Sequence, residues 1–180
     1  FMRDVDYLHV AEESMSRIGA VRDQAVAAAV DLGRFRCLVD VGGGRGGLMR
    51  ALLTADDRLH GILFDLPSVV ASGRETLSQA GLTERCDVIA GDFRRSVPPG
   101  GDVYVLSWIL HDWDDETAET ILHRCREAMD VGAVLLVVEM IVPERGHATT
   151  GQAEAEDIRR LVRQTDLEML AVVGGRERTA

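Results

Sequence analysis

Leu38-Val39-Asp40-Val41-Gly42-Gly43-Gly44-Arg45-Gly46-Gly47 is the stretch on which the fold of this chain turns. An apolar run ends in a carboxylate and a glycine cluster follows. Leu48, Met49, Ala51 and Leu52 then recur at helical spacing. That order reads as a buried parallel strand, a tight turn and a helix N-terminus. Glycine suits the turn because a Cβ would hold the chain away from a bound ligand. Such a strand, turn and helix commonly hold a nucleotide-like cofactor.

Outward from the turn, four more short apolar runs follow the one at 37–42, at 60–66, 86–91, 102–109 and 133–140. Helical patterns lie between them at 46–54, 68–80 and 115–129. Strands alternating with helices predict an α/β fold with a doubly wound, mostly parallel sheet. Upstream, Leu8, Ala11, Met15, Ile18, Ala25, Ala29 and Leu32 keep helical spacing. Residues 1–36 are therefore read as a helical lead-in and 37–180 as the cofactor-binding domain. Residues 143–157 read as a loop and 154–172 as helical. A sheet ending at its fifth strand would leave a long exposed edge, so the chain is expected to be a piece of a longer protein or to lack a disordered end.

Composition narrows the partners. The 180 residues carry a net charge of −10, which argues against nucleic acid or an anionic membrane surface as the main partner. No apolar run reaches the roughly 18 residues of a membrane span. Cys37, Cys86 and Cys125 are isolated, without metal spacing. They are expected to be reduced, buried thiols of a cytoplasmic protein.

The identity of the cofactor is not fixed by the glycines alone. Gly42, Gly44 and Gly47 satisfy GxGxxG, and Asp65 follows at the distance of a ribose-binding acid, as in dinucleotide enzymes. Two details favour S-adenosylmethionine. Asp40 opens the turn with a carboxylate, which suits an ammonium better than a pyrophosphate. The third run ends in Gly91-Asp92-Phe93, where Asp92 can accept from an adenine amino group while Phe93 covers the ring. Strand-end aspartates also cap the turns that follow them, so each acid has a purely structural alternative.

The fourth run leads into Leu110-His111-Asp112-Trp113-Asp114-Asp115-Glu116. Active sites of open parallel sheets lie at the carboxyl ends of the strands, which is where His111 falls. Asp114 is expected to cap the next helix, with Asp115 and Glu116 favouring its positive end. His9, His60, His123 and His147 lack comparable placement and read as surface or packing residues.

These residues carry a resemblance. Val39-Asp40-Val41-Gly42-Gly43-Gly44, Phe64-Asp65-Leu66-Pro67, Gly91-Asp92-Phe93, His111-Asp112-Trp113-Asp114-Asp115-Glu116, Val138-Glu139 with Pro143, and Gly174-Gly175-Arg176-Glu177-Arg178-Thr179 form an ordered set. It is similar to the caffeic-acid-type O-methyltransferases, including the bacterial branch that methylates polyketide and other natural-product hydroxyls. The resemblance implies a class I, Rossmann-like methyltransferase fold with S-adenosylmethionine as donor, S-adenosylhomocysteine as product and no metal. It implies that Gly42, Gly44, Asp65, Asp92 and Phe93 hold the cofactor, with Asp40 beside its methionine part. His111 would be the general base, flanked by Glu139 and Glu177. Without the resemblance, Glu139 reads as an ordinary charged strand end and Glu177 as a surface glutamate in an Arg-rich tail. Ser107 falls at the cofactor where many plant relatives carry a lysine. The acceptor would be a small hydroxylated aromatic, and the whole protein a homodimer built through a helical domain before residue 1. Two other readings stay open: a binder that keeps the fold without transferring a methyl group, and a nicotinamide-dependent oxidoreductase. The second lacks a Tyr/Lys hydride-site pair, since the chain has no lysine.

Overall fold

The computed structural model of the chain describes residues 19–140. Within them a helix occupies 19–29 (α1), followed by β1 (Cys37–Val41), α2 (Gly47–Ala55), β2 (His60–Asp65), α3 (Val70–Gln79), β3 (Cys86–Ala90), β4 (Val103–Ser107), α4 (Asp115–Ala128) and β5 (Val134–Val138). Each of the five apolar runs is a strand and each helical pattern between them is a helix. The first part of the lead-in, the loop at 143–157, the helix at 154–172 and Glu177 lie outside the described residues.

The strands form one parallel sheet in the order β3-β2-β1-β4-β5. Val39 is paired with Ile62 of β2 on one side and Tyr104 of β4 on the other. The chain builds outward from β1 to β3, then returns to the other side of β1 with β4. That reversal opens a crevice at the carboxyl ends of β1 and β4, where ligands bind in such sheets.

The central strands are buried on both faces, which is why they read as continuous apolar runs rather than alternating ones. Leu38 packs with Leu48, Met49, Leu52, Leu63 and Leu77 on the α2 and α3 side. Val39 and Val41 point the other way and pack with Tyr104, Leu106, Ile121 and Cys125 on the α4 side. The near ends of the strands are tied by Asp102, whose carboxylate accepts from the backbone N–H of Arg36 at 2.8 Å and of Cys37 at 3.0 Å. The Tyr104 hydroxyl is fully buried and donates to the carbonyl of Ala128 at 3.0 Å, fastening β4 to the end of α4.

All three cysteines are free thiols. Cys86 and Cys125 are buried as expected; Cys37, at the exposed start of β1, is only half-buried. Among the described residues no helix is long and apolar enough to cross a membrane.

Candidate active site

The glycine turn sits directly on the end of β1. Gly42 and Gly44 take φ of +75° and +57°, backbone that favours glycine. The Gly42 N–H donates to the Phe64 carbonyl at 2.8 Å, which anchors the turn to β2. A Cβ on Gly42 would strike Ile109, whereas one on Gly44 would meet nothing within 4 Å. The turn is thus closed on its β4 side and open at Gly44.

Asp65, at the end of β2, is buried and holds the same turn. Its Oδ2 accepts from the Gly44 N–H at 2.7 Å and its Oδ1 from the Leu66 N–H at 2.6 Å. The structural role that sequence reasoning allowed for this acid is therefore real. Each oxygen keeps a second lone pair, so the same carboxylate can also accept from a sugar hydroxyl.

Gly91-Asp92-Phe93 leaves β3 beside this turn. Asp92 is gripped by Arg94, whose Nε and Nη2 donate to its two oxygens at 3.0 and 2.8 Å. The Arg94 guanidinium holds the Asp92 carboxyl below the usual carboxylate range, so it is an ionised acceptor. Phe93 lies close to Gly42 and meets Trp113 edge to face, with centroids 6.0 Å apart. Arg94 also stands over the Trp113 ring at 5.0 Å. The two aromatic rings and the Asp92 carboxylate make one corner of the crevice.

His111 lies in a short 3-10 turn, Leu110–Asp112, just past β4, and is 7% exposed. Glu139, directly after β5, supports that turn: its Oε1 accepts from the backbone N–H of Ile109 at 3.0 Å and of Leu110 at 2.8 Å. Its Oε2 stands 3.8 Å from His111 Nδ1, an ion-pair separation rather than a hydrogen bond. On the other side of the ring, Asp112 Oδ1 is 3.5 Å from Nε2. These contacts give Glu139 a structural part, holding the turn that carries His111. Asp114 caps α4, accepting from the Thr117 N–H at 2.8 Å.

Ser107 ends β4 with its hydroxyl buried and without a hydrogen-bond partner among the described residues. Asp40, 1% exposed at the end of β1, likewise has an Oδ2 without a partner there. Burial pushes its carboxyl up to about 7, with the Asp23 charge adding to the effect. The structure brings Asp40, Gly42, Gly44, Asp65, Asp92, Phe93, Ser107, His111 and Glu139 to the carboxyl ends of β1 to β5.

Sequence reasoning missed what α1 and the residue after β4 contribute. Arg22 donates to Asp23 through Nε and Nη2 at 3.0 and 2.7 Å, and its guanidinium lies 4.6 Å over the Trp108 ring. Trp108 has φ +56°, the one non-glycine residue with positive φ among those described. Its backbone N–H donates to the Val138 carbonyl at 2.9 Å, and its ring lies 6.1 Å from that of His111. A lone Arg-Asp pair on a helix gives no periodic signal, and a left-handed tryptophan has none at all.

Similarity to known proteins agrees with this geometry. The O-methyltransferase domain family matches residues 2–180. The chain is 40% identical over 156 residues to the phenazine O-methyltransferase PhzM of Lysobacter antibioticus, covering 87% of this chain and 42% of that protein. It superposes on the mitomycin 7-O-methyltransferase MmcR with a TM-score of 0.82 at 36% identity, over 98% of this chain and 49% of the other. NcsB1, an O-methyltransferase from neocarzinostatin biosynthesis, was solved with S-adenosyl-L-homocysteine and 1,4-dihydroxy-2-naphthoic acid. It matches with a TM-score of 0.78 at 38% identity, over 93% and 47% of the two chains. The chain therefore spans about half the length of its relatives, and it belongs to the O-methyltransferase domain family.

Proposed function

We propose that the protein carrying this chain transfers a methyl group from S-adenosylmethionine to a phenol-like hydroxyl of a small aromatic natural product, with His111 as the general base. The observation that carries the reading is the pairing of an open glycine turn on β1 with a histidine held by Glu139 at the mouth of the same crevice. Relatives acting on phenazine, mitomycin and naphthoate compounds support the choice of a flat aromatic acceptor.

The residues present fit the donor. Asp65 and Asp92 offer acceptors to ribose and adenine, and Phe93 with Trp113 offers ring faces. Asp40 Oδ2, buried without a partner, suits a cationic group at the turn. When bound, S-adenosylmethionine supplies an electrophilic methyl group on a sulfonium.

The task left to the protein is to orient the acceptor and move one proton. The acceptor oxygen has to be held roughly 3 Å from its target, in line with the bond that breaks. A phenol titrates near 10 and an imidazole near 6.5, so complete proton transfer before attack would cost about 5 kcal/mol. Transfer concerted with attack avoids much of this, and a carboxylate beside the imidazole lowers the remainder by stabilising the imidazolium. Glu139 is that carboxylate: facing Nδ1, it favours the tautomer that leaves Nε2 to take the proton. Asp112, partly exposed and 3.5 Å from Nε2, would swing aside for the acceptor. Glu177 would be the second flanking carboxylate.

The intact protein is proposed to act as a homodimer in a reducing, cytoplasmic setting, which the three free thiols fit. Incubation of the intact protein with methyl-labelled S-adenosylmethionine and a panel of hydroxylated naphthoates and phenazines tests the reading. A labelled aryl methyl ether formed together with S-adenosylhomocysteine is expected. Tight donor binding without product from any phenol would instead favour a binding protein, and saturable NADH binding an oxidoreductase.

A further inference from the structure

Trp108, half-buried just past β4, holds a backbone angle that a bulky residue rarely adopts, φ +56°. Such an angle costs free energy and persists only where the surroundings over-determine it, which happens most often at functional sites. Both ends of Trp108 are tied down. Its backbone N–H donates to the Val138 carbonyl, and its ring carries the Arg22 guanidinium of α1 at 4.6 Å, itself gripped by Asp23.

The left-handed angle has a visible product. Ile109 returns to right-handed backbone, with φ −113° and ψ −50°. A left-handed residue followed by a right-handed one turns successive N–H groups toward one point, which makes a cradle for an anion. The N–H groups of Ile109 and Leu110 converge in this way, and the anion they hold is Glu139 Oε1, at 3.0 and 2.8 Å. Register brings cradle and carboxylate together, because Ser107 lies opposite Val138, one residue before each. Glu139 then turns its Oε2 to His111 Nδ1 at 3.8 Å. The indole itself lies beside the imidazole, with centroids 6.1 Å apart and planes tilted by 40°. Trp108 therefore bears on His111 by two routes, one through its backbone and one through its ring.

We propose that Trp108 is a positioning residue for the base: its left-handed backbone seats Glu139 against Nδ1, and its indole, steadied by Arg22, walls the imidazole into one orientation. This rests on the reading of His111 as the base. It requires no contact between Trp108 and the acceptor. A positioning role lowers kcat, whereas a residue that only lines the acceptor pocket raises KM with kcat held.

Three variants of the intact protein separate backbone from ring. Trp108→Gly accepts the left-handed angle and removes the indole. Trp108→Ala removes the indole and keeps the cost of that angle, so the cradle relaxes. Trp108→Phe keeps a ring. Trp108→Gly should lower kcat by about tenfold or more with acceptor KM little changed. Calorimetry should find its affinity for S-adenosylhomocysteine unaltered. Trp108→Phe should recover most of the lost kcat. Nitrogen NMR of labelled histidine, at a pH where the ring is neutral, reads the second route without turnover. The His111 proton should sit on Nδ1 in the unaltered protein and in Trp108→Gly, and be shared between the two nitrogens in Trp108→Ala. Circular dichroism melts confirm that each variant is folded, and the spectrum of the unaltered protein needs no variant: a His111 proton on Nε2 there overturns the inference. An unaltered kcat in Trp108→Gly, a rise in KM alone, or an unmoved tautomer in Trp108→Ala overturns it as well. His111→Ala assayed alongside keeps the two readings apart. Full activity there removes the base and this role with it, whereas a large loss there with Trp108→Gly unaffected overturns the role of Trp108 alone.

Discussion

At the scale of single residues, the proposed function gives His111 the proton and Glu139 the support of the imidazole. His111→Ala is expected to lower kcat by roughly 10²-fold or more while donor affinity changes little. Steady-state kinetics with calorimetry of donor binding check this, and full retained activity removes His111 as the base. Glu139 has two functions that substitution can separate. Its Oε1 holds the backbone of Ile109 and Leu110, while its Oε2 faces His111. Glu139→Gln keeps an acceptor for the backbone and loses the charge, so activity should fall with the melting temperature little changed. Glu139→Ala leaves two N–H groups unsatisfied and should also cost about 1–3 kcal/mol of stability, read by denaturant titration. Equal effects of both variants on activity and stability would reduce Glu139 to a backbone anchor. The strand-end position of His111 was legible in the sequence, whereas Glu139 was singled out only by the family resemblance; the structure places both after the carboxyl ends of β4 and β5. The sequence could not show Arg22, Asp23 and Trp108 meeting there, because their contacts depend on how α1 lies across the turn and on one left-handed backbone angle.

At the scale of elements, the strands were legible because a sheet buried on both faces demands unbroken apolar runs. The helices were legible because their apolar residues recur at helical spacing. Capping was legible too. Asp114 accepts from Thr117 N–H, and Asp115 and Glu116 occupy the first turn of α4. Asp114→Ala should destabilise the protein by about 1 kcal/mol, seen as a lower denaturant midpoint with unchanged slope. A midpoint unmoved by this change would mean that the helix needs no cap. The close approach of α3 to the turn gave no such signal. Gly73 lies against Leu63 and the Gly44 carbonyl, so a Cβ there would push α3 off the glycine turn. In sequence it is only a glycine inside a helix, which lowers helix propensity and says nothing of its neighbour.

At the scale of the whole molecule, an acidic chain folds around a site that concentrates further negative charge at its centre. Asp40 carries the consequence for stability. Its carboxyl titrates at about 7 in the folded chain against an ordinary 3.8. Between those values the folded state holds a proton that the unfolded state has released, so this group makes stability fall as pH rises through that window. Asp40→Asn should therefore melt above the unaltered protein at about pH 8 and close to it at about pH 3, below both values, where both states bind the proton. A variant less stable at alkaline pH would show that Asp40 is a structural anion. Stability given up at the glycine turn in exchange for ligand affinity is what a functional site predicts.

The most direct test of the account is a crystal structure of the intact protein with S-adenosylhomocysteine and a hydroxylated naphthoate. The account predicts the sulfur over the Gly42–Gly44 turn and the acceptor hydroxyl within hydrogen-bond reach of His111 Nε2, with Glu139 at Nδ1. A nucleoside bound away from the β1 turn, or an acceptor hydroxyl that His111 does not face, would contradict it.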